Sequence, residues 1–355
     1  MAEGPLFKVV LFNLPTEDRV LLCAHHLVVD GVSWRILLED IASAYHQATS
    51  GKTITLASKT DAYHYFATQL VEYATTETLR AQQPYWQQVE HAPVQSVPQD
   101  MTCATQIRQD TAHLSTTLSV EDTQLLLTQA HQAYNTRIDD LLLVALAMAL
   151  QQRHGITNSR IDLEKHGRET DFAEMDLSRT VGWFTAMHPF ILSMPAEPDH
   201  ELGRSIKSIK EAIRHIPQQG MGYGALRYLT DTLKTSPQPN QIGFNYLGQF
   251  DNTASDQAWQ MNWDEVGTVV SDQMPQPHEL DFLSMVDQGA LTVSLTYHKK
   301  RYSSDHAQAL LTDYITALQT VIQHCSQQQD TDITPSDLTF SDITLDDLDA
   351  ALGDL

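Results

Sequence analysis

Residues 21–37 read LLCAHHLVVDGVSWRIL, with two histidines, an aspartate and a glycine set into an otherwise apolar run. From 19 to 29 the run is rich in Val and Leu, which predicts a buried strand. Successive side chains on a strand point to opposite faces. His25 and His26 are therefore expected on opposite faces, which argues against a metal site made of His25, His26 and Asp30. Gly31 is expected to let the chain turn, and Ser33 to cap a helix running from Trp34 to about Tyr45. A strand, a tight turn and a helix together make a place where a side chain is held rigidly at the edge of a pocket.

The rest of the chain sets bounds on partners and class. Its 355 residues suffice for two lobes, each with its own core. A net charge of −23 repels nucleic acid and anionic membranes, so neither is an expected partner. Cys23, Cys103 and Cys325 are odd in number and far apart. That pattern suggests reduced thiols in a cytoplasmic protein and no zinc or disulfide framework. The start, MAEGPLFKVVLFNLP, lacks the basic and long apolar segments of a signal peptide. The longest apolar run, residues 141–150, is too short to span a bilayer and reads as a buried helix.

Around the opening stretch, PLFKVVLFN and RVLLCAHHLVV read as a hairpin turning at LPTED. A long helical segment follows from about residue 60, broken before Pro84, and then a Pro- and Ser-containing loop over 91–106. TAHLSTTLS alternates as a strand does; VEDTQLLLTQAHQAYN and RIDDLLLVALAMALQQRHG read as helices. NSRIDLEKHGRE reads as a strand entering a polar loop, and LGRSIKSIKEAIRHIP as an amphipathic helix. QIGFNYLGQF and GALTVSLTYHKKRY read as strands, and DHAQALLTDYITALQTVIQHC as a last core helix. Without a regular βαβ alternation the fold class expected is α+β. The tail from Gln327 is acidic and polar and reads as solvated, with LDDLDAAL able to form a short amphipathic turn.

Four polar clusters lie in apolar surroundings: His25-His26-x-x-x-Asp30-Gly31, EKHGRE at 164–169, TVGWFTAMHPF at 180–190, and GFNYLGQF at 243–250. A Gly-rich piece, QQGMGYGALRYL, lacks the Lys-Ser/Thr of a phosphate loop and is weak as a nucleotide motif. In this order, HHLVVDGVSWRIL, EKHGRE, GWFTAM, GMGYGALRYL and FNYLGQF resemble the motifs of the epimerization domains of nonribosomal peptide synthetases. The resemblance runs from Gly4 to about Leu338. Related condensation domains share HHxxxDG but usually place tryptophan directly after the glycine, where this chain has Val32-Ser33-Trp34.

The resemblance implies two lobes, each like chloramphenicol acetyltransferase, set in a V around a tunnel. It implies a partial first lobe over 1–70, a second lobe over 71–338, and an acidic tail or linker over 339–355. It implies inversion of the α-carbon of an aminoacyl or peptidyl thioester carried on the 4'-phosphopantetheine arm of a carrier domain. The implied partners are that upstream carrier and other synthetase domains, and no metal or cofactor of the chain's own is expected. Position by position, His26 matches the catalytic histidine, Glu164 the catalytic glutamate, Asn245 and Tyr246 a polar pair, and Asp30 a structural aspartate. His25, Gly31 and Arg168 are expected to be structural at the site, with Asp30 paired to an arginine. Trp183, Phe184, Gly222 and Tyr223 are expected in packing and the tunnel wall.

These residue types suit the chemistry. An α-proton beside a thioester is a weak acid, so its removal needs a positioned base and a donor near the enolate oxygen. Inversion without a cofactor needs removal on one face and return on the other. A screened carboxylate shifts toward neutrality and an imidazole starts near ~6.5, so the two can exchange roles near neutral pH. Asn245 or Tyr246 is expected to donate to the thioester oxygen or to orient Glu164.

Three departures stand out. Lys165 replaces a glycine usual after the glutamate, so positive φ and a cation beside Glu164 are both at issue; the expectation is that Lys165→Gly raises α-proton exchange. His188 replaces a usual aromatic residue. The chain also starts just before the HHxxxDG hairpin, so the first lobe is expected to be incomplete. Two other functions fit less well: an amide-forming condensation domain, and a non-catalytic docking or scaffold module.

Overall fold

The computed structural model describes residues 3–194, 202–249, 267–338 and 343–353. Its strands are β1 (Phe7–Asn13), β2 (Asp18–Ala24), β3 (Thr111–Thr117), β4 (Asn158–Lys165), β5 (Ala186–Ser193), β6 (Ile242–Gln249), β7 (Leu280–Asp287) and β8 (Ala290–His298). Its α-helices are α1 (Gly31–Thr49), α2 (Tyr63–Tyr73), α3 (Glu77–Arg80), α4 (Gln83–His91), α5 (Val120–Thr128), α6 (Ile138–His154), α7 (Leu202–Arg214), α8 (Met221–Tyr228), α9 (Ser304–Ser326) and α10 (Leu345–Gly353). The fold is mixed α and β, as the segment order predicts.

β1 and β2 form an antiparallel hairpin of their own. The other strands form one six-stranded sheet in the order β3-β8-β7-β6-β4-β5. Within it β4–β6 and β6–β7 run parallel, while the outer pairs are antiparallel. One face of the sheet makes the core. Ile161, Leu163, Ile242, Phe244, Leu280, Phe282, Val293 and Leu295 are all buried there. α6 and α9 pack together within the same core, and residues 141–147 of α6 are buried all round. Such a helix gains little from amphipathicity and is held by packing; truncating one of its leucines to alanine would cost about 2–5 kcal/mol.

Because side chains alternate along strands, the polar residues between those core positions point to the other face. The register aligns them across the sheet. Asp162 on β4 lies beside Gly243 on β6, which lies beside Asp281 on β7. In the next row Glu164 stands against Met187 of β5, and Asn245 against Leu283 of β7.

The opening stretch differs from its sequence reading. The strand ends at Ala24, and His26–Val28 form a single 3-10 turn. α1 starts at Gly31, with Asp30 and not Ser33 as its cap: the Ser33 amide donates to Asp30 Oδ1 at 2.7 Å. The turn is made by the 3-10 residues and extended Val29, so it does not call on the backbone freedom of Gly31; a Cβ there would meet nothing within 4 Å. The helical reading of 120–135 is also too long, since α5 ends at Thr128. Position 70, given as a lobe boundary, falls inside α2. In the tail, 339–342 and 354–355 lie outside the described residues, while LDDLDAAL begins the helix α10.

Candidate active site

Glu164 sits one residue before the end of β4, on the polar face of the sheet. It borders a small recess with Asp162, Met187, Gly243, Phe244, Asn245, His278 and Asp281. Burial, reinforced by the nearby charge of Asp281, holds its carboxyl above the usual range. The Asn245 amide hydrogen-bonds it, and His26 and His278 are close enough for their charges to favour the anion. The structure thus brings Glu164, Asn245 and His26 together from segments far apart in sequence.

His26 reaches the site from the turn after the hairpin. Its ring lies 5.1 Å from that of Trp183, which is 40% exposed. His25 is exposed, and its Nδ1 accepts from the Leu27 amide at 3.2 Å. It is a local cap on the turn, not a core histidine on the far face of a strand. The two histidines are separated by the turn itself, since the strand has already ended.

Asp30 and Arg168 hold this turn against the sheet. An Arg168 Nη donates to Asp30 Oδ1 at 3.1 Å, in a pair almost wholly buried. The same guanidinium donates to the carbonyls of Leu177 and Thr180, both at 2.8 Å, and lies 4.2 Å from the centre of the Phe184 ring. The Phe184 amide donates to Asp30 Oδ2 at 3.1 Å, and Ser33 Oγ exchanges hydrogen bonds with Gly182. Gly167 completes the junction: its φ is +65°, and a Cβ there would lie 1.8 Å from the Phe184 carbonyl oxygen. No residue with a side chain fits that approach.

Phe184 is buried in packing with Phe66, Leu177 and Met221 and does not border the recess. Gly222 packs against Leu79 and Gln82, and the Tyr223 hydroxyl hydrogen-bonds Glu90 in the main core. Neither borders the recess around Glu164. Tyr246 points to the opposite face from Asn245, packs against the main core and interacts with Arg35 of α1.

Lys165 settles the first departure. Its ammonium pairs with Asp139 at the start of α6, and its backbone is not in the left-handed region. Neither a cation on Glu164 nor strained φ separates it from glycine. His188 is fully buried beside Trp86, and burial lowers its imidazole to about 4.

Asp162, His278 and Asp281 were not singled out by the sequence reading. Asp162 carried a legible signal, since two residues before Glu164 on a strand means the same face. His278 and Asp281 carried none, because their approach depends on the parallel pairing of β6 with β7. The sequence also shows no cluster of metal-ligand spacing, yet ligand atoms of Cys103, Asp110 and His298 lie within 4.8 Å of one another. Residues so far apart in sequence give no spacing signal. Both Asp110 oxygens there are already engaged, by Lys300 at 2.6 Å and by Thr105 at 2.9 Å.

Residues 1–344 match the Condensation domain family. The chain belongs to that family. Among its relatives it is 40% identical over 352 residues to a mycosubtilin synthase polypeptide of Bacillus subtilis, covering 98% of this chain and 13% of the synthase. It is 39% identical over 355 residues to surfactin synthase subunit 1 of Bacillus subtilis (strain 168), covering 98% of this chain and 10% of that protein. The chain thus spans about an eighth or less of these relatives. Among solved structures it is similar to the epimerization domain from the third module of tyrocidine synthetase B, with a TM-score of 0.85 and 37% identity over 92% of this chain and 74% of that one. The mixed α and β fold is therefore that of condensation-domain proteins. Among the described residues no helix is long and apolar enough to cross a membrane.

Proposed function

We propose that this domain epimerizes, from L to D, the α-carbon of an aminoacyl or peptidyl thioester presented by a carrier domain during nonribosomal peptide synthesis. The observation that carries the reading is the pairing of a partly buried carboxylate of raised pKa, Glu164, with an imidazole, His26, on a separate element. One group takes the α-proton from one face, and the other returns a proton on the opposite face. Asn245 orients Glu164, and exposed Trp183 and Met187 flank the approach. The likeness to a solved epimerization domain, and the relation to peptide synthases, support the same reading.

The substrate arrives on the carrier's phosphopantetheine arm, so an upstream carrier and other synthetase domains are the proposed partners. No metal or cofactor of the chain's own takes part in this scheme. The test is a carrier loaded with an L-aminoacyl group, incubated with the domain and hydrolysed, with D-product measured by chiral chromatography. Appearance of D-product that requires His26 and Glu164 is expected. Amide formation with an acceptor carrier, and no D-product, would overturn the proposal in favour of condensation.

A further inference from the structure

Beside Glu164 the polar face of the sheet holds a second, unassigned cluster. Asp162 and Asp281 stand on either side of Gly243 in one row across β4, β6 and β7. His278 lies over that glycine. A Cβ at Gly243 would fall 2.4 Å from His278 Nδ1 and 2.4 Å from Asp281 Oδ1. The imidazole bridges the two carboxylates, with Nε2 2.9 Å from Asp162 Oδ2 and Nδ1 3.7 Å from Asp281 Oδ1. All three groups border the recess that Glu164 lines.

We propose that His278, seated over Gly243 between Asp162 and Asp281, is a positioning residue that sets whether Glu164 holds its proton. The inference rests on the epimerase reading only for the use made of that proton. Three partly buried carboxylates share one small recess, and one imidazolium offsets part of their charge. Burial alone would lower the His278 imidazole, but the Asp162 hydrogen bond and the charges of Asp162, Asp281 and Glu164 raise it above its ordinary value. Asp281 is itself raised, by burial, against the pull of His278 and Arg108. From the other elements around Glu164, His26 supplies a further titratable group, Asn245 a neutral donor and Met187 an apolar contact. Removing the imidazolium leaves Glu164 facing uncompensated carboxylates, so it keeps its proton to higher pH. Removing the Asp281 charge does the reverse.

The test is a carbon-13 NMR titration of the full chain labelled at glutamate side-chain carboxyls, with the Glu164 signal assigned by its loss in Glu164→Gln. His278→Gln is expected to move the Glu164 midpoint up by about half a pH unit or more, and Asp281→Asn to move it down by a similar amount. Midpoints that stay put, or that move the same way in both variants, would overturn the proposal. If His278→Gln does not fold, Asp162→Asn, which removes the partner that raises the His278 imidazole, decides: an upward move of the Glu164 midpoint supports the proposal, and an unmoved or lowered midpoint overturns it. Loss of deuterium from the α-carbon of a loaded carrier is followed in parallel. Opposed midpoint shifts without such exchange in the parent protein would leave the His278 role standing and remove the epimerase reading.

Discussion

Arg168, in the loop after β4, closes a buried ion pair at 3.1 Å on Asp30, which caps α1 138 residues earlier in the chain. This contact fixes the His26 turn relative to Glu164. Asp30 also receives the Ser33 and Phe184 amides, so its loss strands three donors at once. Asp30→Ala and Arg168→Ala are each expected to destabilise the protein by about 3–5 kcal/mol, since breaking a buried pair leaves an uncompensated charge. Urea unfolding measures this; a loss under about 1 kcal/mol would show that the junction is held by other contacts.

The adjacent histidines are expected to separate cleanly. His26→Ala should abolish D-product formation with little change in melting temperature, because its ring is exposed. His25→Ala should retain turnover and cost about 1 kcal/mol or less, the worth of one exposed turn cap. The reverse pattern of turnover would exchange their roles.

Glu164 makes two pH-dependent predictions. In the direction in which Glu164 takes the α-proton it must be ionised, and its carboxyl is raised by burial and Asp281, so the acid limb of that exchange should lie above the range of an ordinary carboxylate. A raised carboxyl also means that ionisation costs the folded state more than the unfolded one. Stability is therefore lost as pH rises from the unfolded value to the folded one, and stays lower above it. Glu164→Gln should melt higher than the parent at pH 8 by roughly 1–3 °C, and at the same temperature near pH 3. Equal melting temperatures at both pH values would show that the carboxylate is not strained by its surroundings.

Lys165→Gly is now expected to harm rather than help. It removes the partner of Asp139 and adds backbone freedom to a strand, costing about 1–2 kcal/mol, with no rise in deuterium exchange. A faster exchange in a folded variant would restore the case for glycine at this position.

His188 predicts acid sensitivity. Its imidazole is depressed to about 4 by burial, so the unfolded chain takes up a proton below about 6.5 that the folded chain refuses until about 4. Stability from this group is intact above the unfolded value and falls through that window. His188→Phe should therefore lose less melting temperature than the parent between pH 7 and pH 4. A constant difference across that range would sink the assignment.

Several elements were legible because one signal dominated each. The apolar run of α6 and the alternation of β3 and β8 needed no tertiary information. β5 was hidden by Gly182 and Pro189 in its neighbourhood; proline is tolerated there because β5 is the edge of the sheet. β7 alternates buried and partly exposed residues and joins β8 through Gln288 and Gly289, both at positive φ, so its hairpin signal was present and unused. At the site, the motifs pointed to Glu164, His26 and Asn245. They were silent on His278 and Asp281, because a row across parallel strands is set by register, which no local pattern encodes.

The two groups proposed to move the α-proton are mounted on supports of unequal stiffness. Glu164 belongs to a six-stranded sheet backed by the main core, whereas His26 hangs from a 3-10 turn after a hairpin whose Val9 and Leu11 are more than half exposed. Regions with few buried contacts open at lower free energy than the global transition. On gradual heating, then, the hairpin is expected to come loose from the anchored Asp30 junction while the helices are still intact. Loss of D-product formation is then expected before the loss of circular dichroism, with recovery on prompt cooling by re-docking one hairpin instead of refolding the core.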